Sequence, residues 1–145
     1  MKVLVINGPN LNMLGIREKN IYGAETYEDL KTLIEKTFAE QKIEGEIYQS
    51  NHEGALVDRI QQAYFDGTDA IVINPAAYTH TSVAILDALK AVSLPAVEVH
   101  LSDINEREPF RHISYPAMAC IAQIKGKGFQ GYEEAILLLK EHLSK

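Results

Sequence analysis

The chain has 145 residues, of which 46% are hydrophobic and 23% are charged, a balance typical of one soluble globular domain. Its formal net charge of −6 argues against a nucleic-acid-binding protein, because such a protein needs a basic face to displace counterions from phosphates. The first apolar run ends at Asn7 and is too short for a signal peptide or a membrane span. The single cysteine, Cys120, cannot form an intramolecular disulfide and is expected to be a buried core thiol. We therefore predict a single domain over residues 1–145, located in the cytoplasm and without membrane contact.

The predicted elements alternate between strand and helix along the chain. Residues 3–6 form a continuous apolar, β-branched run, as expected for a strand that is covered on both faces. The residues from there to Ala24 show no clear period, and a loop of this length in a small domain is usually functional. Thr26 is the predicted N-cap of a first helix with one apolar face.

The next elements continue the alternation. A short strand at residues 46–50 leads into a second helix that starts at Asn51 or His52. This helix is expected to turn Tyr64 inward and to end at Gly67. The remaining predictions are a strand at 70–74, a helix after Ser82, strands at 95–101 and 120–124, and a closing helix at 132–143.

Such alternation requires crossover connections, and it therefore predicts a parallel sheet with helices on both faces. Five strands favour the order 2-1-3-4-5 of a flavodoxin-like three-layer α/β/α domain. Sheets of this kind bind ligands at the carboxyl ends of their strands, near the switch point between strands 1 and 3.

The segment 95–115 carries the strongest candidate site. Glu98 and His100 stand two residues apart on a strand, so their side chains leave the same face. Arg107 and Arg111 follow in a polar segment that has no apolar core of its own. A carboxylate, an imidazole, two guanidiniums and the backbone amides at a strand end predict a site for an anionic substrate.

Other polar side chains fall at the ends of strands 1 and 3. Asn10 lies in a loop that is either an ordinary turn or a hydrogen-bonding part of the site. A signalling receiver of this fold would need an aspartate where Asn74 stands, which weakens that interpretation. His80 is either a surface residue or a ligand contact. The histidines show no HxH, HExxH or CxxC spacing, and the sequence therefore predicts no metal site.

Tyr22 is either a packing residue or a general base, and the second role requires a lowered pKa. A shift of about 2–3 units from the usual value near 10 needs about 3–4 kcal/mol of differential stabilisation. A guanidinium at about 4 Å contributes roughly 4 kcal/mol at an effective dielectric constant near 20, and desolvation offsets part of this. Arg17 together with Arg107 or Arg111 would suffice.

Four blocks of sequence, GPNLNMLGIRE…IYG, NPAAYTHTS, PAVEVHLS and REPFRHIS, strongly resemble the type II 3-dehydroquinate dehydratases in order and spacing. The resemblance extends over essentially the whole chain. It implies a flavodoxin-like fold, no metal or cofactor, and a homododecamer built as a tetramer of trimers. It also implies a hydro-lyase that converts 3-dehydroquinate to 3-dehydroshikimate and water in the shikimate pathway, which leads to chorismate and the aromatic amino acids.

The resemblance further implies a role for each candidate residue. The catalytic roles are those of Tyr22 as the base at C2, Arg17 as the group that lowers its pKa, His100 as the acid at the C1 hydroxyl, Glu98 as the carboxylate that orients His100, and Asn10 as the holder of a water against the enolate oxygen. The binding roles are those of Asn74 and the amides of Leu101 and Ser102 at the substrate carboxylate, His80 and Arg111 at ring hydroxyls, Arg107 in a mobile lid, and Asp87 towards a neighbouring subunit's site.

Two positions depart from the family pattern. Asp103 stands where the family usually has asparagine, and Ile113 stands where histidine is frequent. Asp103 adds negative charge beside the predicted anion site, which is expected to weaken substrate binding slightly. Two alternatives stay open: a flavodoxin-like module that binds FMN or phosphate, and an inactive homologue that is kept for assembly.

Overall fold

The computed structural model describes residues 1–16 and 25–145. Its regular elements lie close to the predicted positions. The strands are β1 (Lys2–Asn7), β2 (Glu44–Gln49), β3 (Ala70–Asn74), β4 (Ala96–His100) and β5 (Ala122–Lys125), and the helices are α1 (Tyr27–Gln41), α2 (Glu53–Phe65), α3 (Val83–Val92) and α4 (Gln130–Leu143).

The five strands form one parallel sheet in the order β2-β1-β3-β4-β5. This confirms the predicted flavodoxin-like α/β/α architecture. β1 and β3 are neighbours in register, with Asn7 beside Asn74 at their carboxyl ends. The chain therefore reverses its direction of winding between these two strands, which opens a crevice above them.

Two apolar clusters cover the two faces of the sheet. Because successive side chains of a strand point to opposite faces, Val3 and Val5 pack with α1 and α4. Leu4 and Ile6 pack with α2 and α3 on the other face. All four side chains are at most 1% exposed, and burial of each contributes about 1.5–3 kcal/mol.

The starts of the helices follow local chemistry. Thr26 and Asp29 form a capping box at α1, in which each side chain accepts a hydrogen bond from the other's backbone amide. Ser82 accepts a hydrogen bond from the amide of Ile85 and caps α3. His52 is the N-cap position of α2, and this agrees with one of the two predicted starts.

The edges of the sheet differ from the predictions. β2 starts at Glu44 rather than at residue 46, because its ladder with β1 begins at the pair Lys2 and Glu44. β5 covers Ala122–Lys125 rather than 120–124, since Pro116–Ala119 forms a 3₁₀ turn that delays the strand. α4 likewise begins two residues earlier than predicted, at Gln130.

Two predictions of burial are wrong. Tyr64 is 63% exposed because the buried face of α2 runs through Leu56, Ile60 and Ala63 and the next position turns outward. Cys120 precedes β5 and is only partly buried, with Sγ 3.4 Å from the carbonyl oxygen of Pro116.

The segment after β4 is also less polar in its packing than predicted. Ile104 is 4% exposed and anchors the turn Ile104–Glu106 to the domain. The side chain of Asp103 accepts a hydrogen bond from the amide of Asn105 and caps this turn. In the described parts of the chain, every helix is too short or too polar to cross a membrane.

Candidate active site

A cavity of about 150 Å³ lies above the carboxyl ends of β1, β3 and β4. Its position agrees with the crevice expected for this strand order. The loop after β1 forms one wall, and the turns after β3 and β4 form the others. The sequence-predicted residues that line it are Asn10, Asn74, His80, His100, Leu101, Ser102, Arg107 and Arg111.

A buried acid–imidazole pair stands at the end of β4. Glu98 and His100 are 0% and 5% exposed, and Oε2 of Glu98 lies 2.8 Å from Nε2 of His100. Since Nε2 is hydrogen-bonded to the carboxylate, Nδ1 is the ring nitrogen that can contact a ligand in the cavity. A carboxylate in this position holds the imidazole in one orientation.

Two further donors hold Glu98, and the sequence analysis missed both. Ser114 Oγ lies 2.8 Å from each carboxylate oxygen, and Gln123 Nε2 lies 2.7 Å from Oε2. Gln123 is the register partner of Glu98 on β5. Gln123 could have been found from the sequence, because it is a polar residue within the predicted strand 120–124. No comparable sequence signal pointed to Ser114.

These contacts keep the carboxylate ionised although it is buried. Burial raises the pKa of Glu98, but the hydrogen bond and charge of His100, with the hydrogen bonds from Gln123 and Ser114, outweigh it and leave the pKa below its ordinary value. The site therefore holds a buried negative charge against the inner side of the imidazole.

Two asparagines mark the other strand ends. Asn74 is 3% exposed, and its Oδ1 accepts a hydrogen bond of 3.1 Å from the amide of Ala76. Asn10 adopts a left-handed conformation with φ of 70°, and its amide donates to Oδ1 of Asn51 at 2.9 Å. This contact ties the loop after β1 to the start of α2.

His80 and Arg111 contribute a neutral ring and a cation. Nδ1 of His80 lies 2.9 Å from the carbonyl oxygen of Ile113, so this nitrogen carries the proton. Burial lowers the pKa of His80, the nearby charges of His100 and Arg111 lower it further, and the Ile113 carbonyl opposes them. Arg111 Nε donates to Glu108 Oε1 at 3.0 Å, which fixes the guanidinium at the cavity wall.

Several predicted residues do not join this cavity. Arg17 and Tyr22 lie outside the described residues. Asp87 is exposed on α3 and does not line the cavity within one protomer. Asp103 does not line it either, because its carboxylate is directed to the turn that it caps. Within residues 1–16 and 25–145, no cluster of three or more histidine, cysteine, aspartate or glutamate side chains is arranged to hold a metal ion.

Comparisons with known proteins agree on one family. The family model described as "Dehydroquinase class II" matches residues 1–140. The chain is 58% identical over 142 residues to 3-dehydroquinate dehydratase of Caldicellulosiruptor bescii, with 98% of each chain covered. It is 55% identical over 145 residues to 3-dehydroquinate dehydratase of Clostridium acetobutylicum, with 100% of each covered.

Solved structures give the same result. The fold is similar to that of type II dehydroquinase from Butyrivibrio crossotus, with a TM-score of 0.95 and 61% identity over 97% of each chain. It is also similar to type II dehydroquinase from Propionibacterium acnes, with a TM-score of 0.90 and 40% identity over 99% of this chain and 97% of the other. The resemblance seen in the four sequence blocks is thereby confirmed, and the chain belongs to the class II dehydroquinases, a family of enzymes.

Proposed function

We propose that this protein is a 3-dehydroquinate dehydratase, which removes water from 3-dehydroquinate to give 3-dehydroshikimate in the shikimate pathway. The observation that carries the proposal is the buried Glu98–His100 pair at a cavity lined by two arginines. Such a pair suits general-acid catalysis, and the arginines suit an anionic substrate. The choice of 3-dehydroquinate as the substrate is based on two relatives named 3-dehydroquinate dehydratase, which match 98% and 100% of this chain.

His100 is the general acid of the proposed reaction. The bond between C1 and its hydroxyl oxygen breaks while Nδ1 of the protonated ring donates a proton to that oxygen, and water leaves. Glu98 supports this step because its Oε2 lies 2.8 Å from Nε2 and holds the ring with Nδ1 towards the cavity. The contacts of Ser114 and Gln123 keep that carboxylate in place.

Tyr22 is the proposed base, with Arg17 lowering its pKa. Its phenolate takes the proton from C2, and the electron pair moves into the neighbouring carbonyl to form an enolate. The pair then returns to form the C1–C2 double bond as the hydroxyl leaves. Asn10, which lines the cavity, holds a water against the enolate oxygen.

The remaining cavity residues bind the substrate in this proposal. The carboxylate is held by Asn74 and by the backbone amides of Leu101 and Ser102. His80 and Arg111 hold ring hydroxyls; the fixed protonation of His80 Nδ1 leaves Nε2 as an acceptor for a hydroxyl hydrogen. Two more residues complete the site: Arg107, which lines the cavity, as part of the lid segment, and Asp87 from a neighbouring subunit.

The assembly and the location stay predictions. A homododecamer would bring the exposed Asp87 of α3 to another protomer's cavity, as the family resemblance implies. Sedimentation of the purified protein tests this directly. Cytoplasmic location is tested by fractionation of the source cells.

The test of function is an absorbance assay. Purified protein added to 3-dehydroquinate should raise absorbance in the enone band, since the product has a double bond conjugated to its carbonyl. A yellow protein that leaves the substrate unchanged would favour the flavin-binding alternative instead.

Variants of the proposed acid and base make the assay specific. Tyr22→Phe should abolish turnover and keep the fold, because only the acidic hydroxyl is lost. His100→Ala should slow catalysis more than Glu98→Gln, since it removes the proton donor itself rather than the group that orients it. Substantial turnover by Tyr22→Phe, or the reverse ranking of the other two, would contradict these roles.

A further inference from the structure

A buried tyrosine that the proposed mechanism does not use lies directly behind the cavity. Tyr132 is 0% exposed and comes from the first turn of α4. Its hydroxyl oxygen lies 3.0 Å from Nδ2 of Asn74 and 2.6 Å from Oδ1 of Asn7. These two asparagines are register partners at the ends of β3 and β1, so one hydroxyl bridges both strand ends.

The hydrogen bonds of this bridge run in one direction. A phenol has one proton, and the Tyr132 hydroxyl donates it to Oδ1 of Asn7. It must therefore accept from Nδ2 of Asn74. Nδ2 of Asn7 in turn donates to the hydroxyl of Tyr27 at 3.3 Å. Burial raises the pKa of Tyr132, so the phenol keeps its proton at ordinary pH.

Both ends of the Asn74 carboxamide are thus assigned. Its Oδ1 accepts from the amide of Ala76, and one hydrogen of Nδ2 is used by Tyr132. The second Nδ2 hydrogen is the group that Asn74 has left for the cavity it lines. Rotation of the carboxamide by half a turn would place Nδ2 against the backbone amide of Ala76, so that two donors meet. It would also place Oδ1 against the Tyr132 hydroxyl, whose proton is already donated to Asn7, so that two acceptors meet. Burial makes both mismatches costly.

We propose that Tyr132 is a positioning residue that locks Asn74 as a hydrogen-bond donor towards the cavity, and so selects a ligand with a carboxylate at this point. This inference rests on the proposed function, since it explains how the site recognises the carboxylate of its substrate. The alternative is a core tyrosine whose hydroxyl is satisfied by Asn74 without any effect on binding.

The test is a double-mutant cycle with Tyr132→Phe and Asn74→Ala, read as KM and kcat for 3-dehydroquinate. Tyr132→Phe keeps the ring and removes the hydroxyl. A carboxylate contact is the same in ground state and transition state, so KM should rise about tenfold with kcat within about threefold. In the Asn74→Ala background, Tyr132→Phe should leave KM unchanged, because the group it positions is absent.

Tyr48→Phe is the matched control, since Tyr48 packs partly buried on the other face of the sheet, and its KM should equal that of the wild type. An unchanged KM in Tyr132→Phe overturns the proposal. An equal rise of KM in both backgrounds does so as well, because the tyrosine would then act without Asn74.

A second measurement separates this proposal from the proposed function. Turnover of 3-dehydroquinate by the wild-type protein tests the proposed function without any variant. The side-chain amide signals of Asn74 in a ¹⁵N NMR spectrum report its orientation without turnover, and Tyr132→Phe should shift them and speed their hydrogen exchange. Unchanged signals and exchange would refute the positioning role even in an active enzyme.

Discussion

Replacement of Glu98 by glutamine tests whether the fold stabilises this carboxylate as an ion. Oε2 lies 2.7 to 2.8 Å from donors of His100, Ser114 and Gln123. A carboxylate offers two acceptor oxygens, whereas a carboxamide offers one oxygen and places an NH₂ group in the position of the other. In the Glu98→Gln variant the amide oxygen can serve His100 and Gln123 only from the Oε2 position, with the NH₂ group facing the Ser114 hydroxyl, which can accept a hydrogen bond. The buried donors of His100 and Gln123 then bond to a neutral acceptor instead of a charged one.

The magnitude follows from the lost charge. A hydrogen bond to a charged group contributes about 1.5–3 kcal/mol, and one between neutral groups contributes about 0.5–1.5 kcal/mol. Because the bonds from His100 and Gln123 are both weakened, we expect the free energy of unfolding at about pH 7 to fall by about 2–3 kcal/mol. The folded-state pKa of Glu98 is lowered from its ordinary value of 4.5. The contribution is therefore complete above about pH 4.5 and is lost as the pH falls through the lowered folded-state pKa. The protonated carboxyl resembles the amide in having one donor and one acceptor, so wild type and variant should converge in acid.

The assay is urea denaturation at a fixed protomer concentration, because assembly would make stability depend on concentration. Glu40→Gln is the matched control: Glu40 is exposed on α1, and its replacement should change the free energy by less than about 0.5 kcal/mol. Equal stability of wild type and Glu98→Gln at neutral pH would refute the reasoning. So would a difference that widens as the pH falls.

Three further predictions concern the frame of the site. Gly8→Ala would place its Cβ against the backbone carbonyl of Pro75, and thermal unfolding should show that the free energy of unfolding falls by roughly 2 kcal/mol or more. Gly54→Ala is the control: the new Cβ has open space around it, so the melting temperature should stay the same or rise slightly. Partial burial, and to a smaller extent the charge of Glu98, raise the pKa of Cys120 to about 12, so Ellman's reagent at about pH 8 should react slowly with folded protein and quickly in urea. Equal rates would show that the fold does not protect this partly buried thiol. An NMR titration of His80 should give a pKa below 6.5. A pKa above 6.5 would show that the hydrogen bond to the Ile113 carbonyl outweighs desolvation.

Several features of the site follow from the amino-acid sequence alone. Side chains of a strand alternate in direction, so the spacing of Glu98 and His100 already predicts that both face the same way. The caps at Thr26 and Ser82 are local, since each is a bond between residues three positions apart. The alternation of strands and helices predicts the parallel sheet and the edge at which the site lies.

Other features were decided only by the tertiary structure. Tyr132 meets Asn7 across 125 positions of sequence, and Gln123 meets Glu98 across 25. Neither pairing appears in a local pattern, because each depends on which strands become neighbours and in what register. Short-range periodicity determines which face a side chain takes, whereas its polar partner is determined by the crossovers that bring distant strand ends and helix starts together.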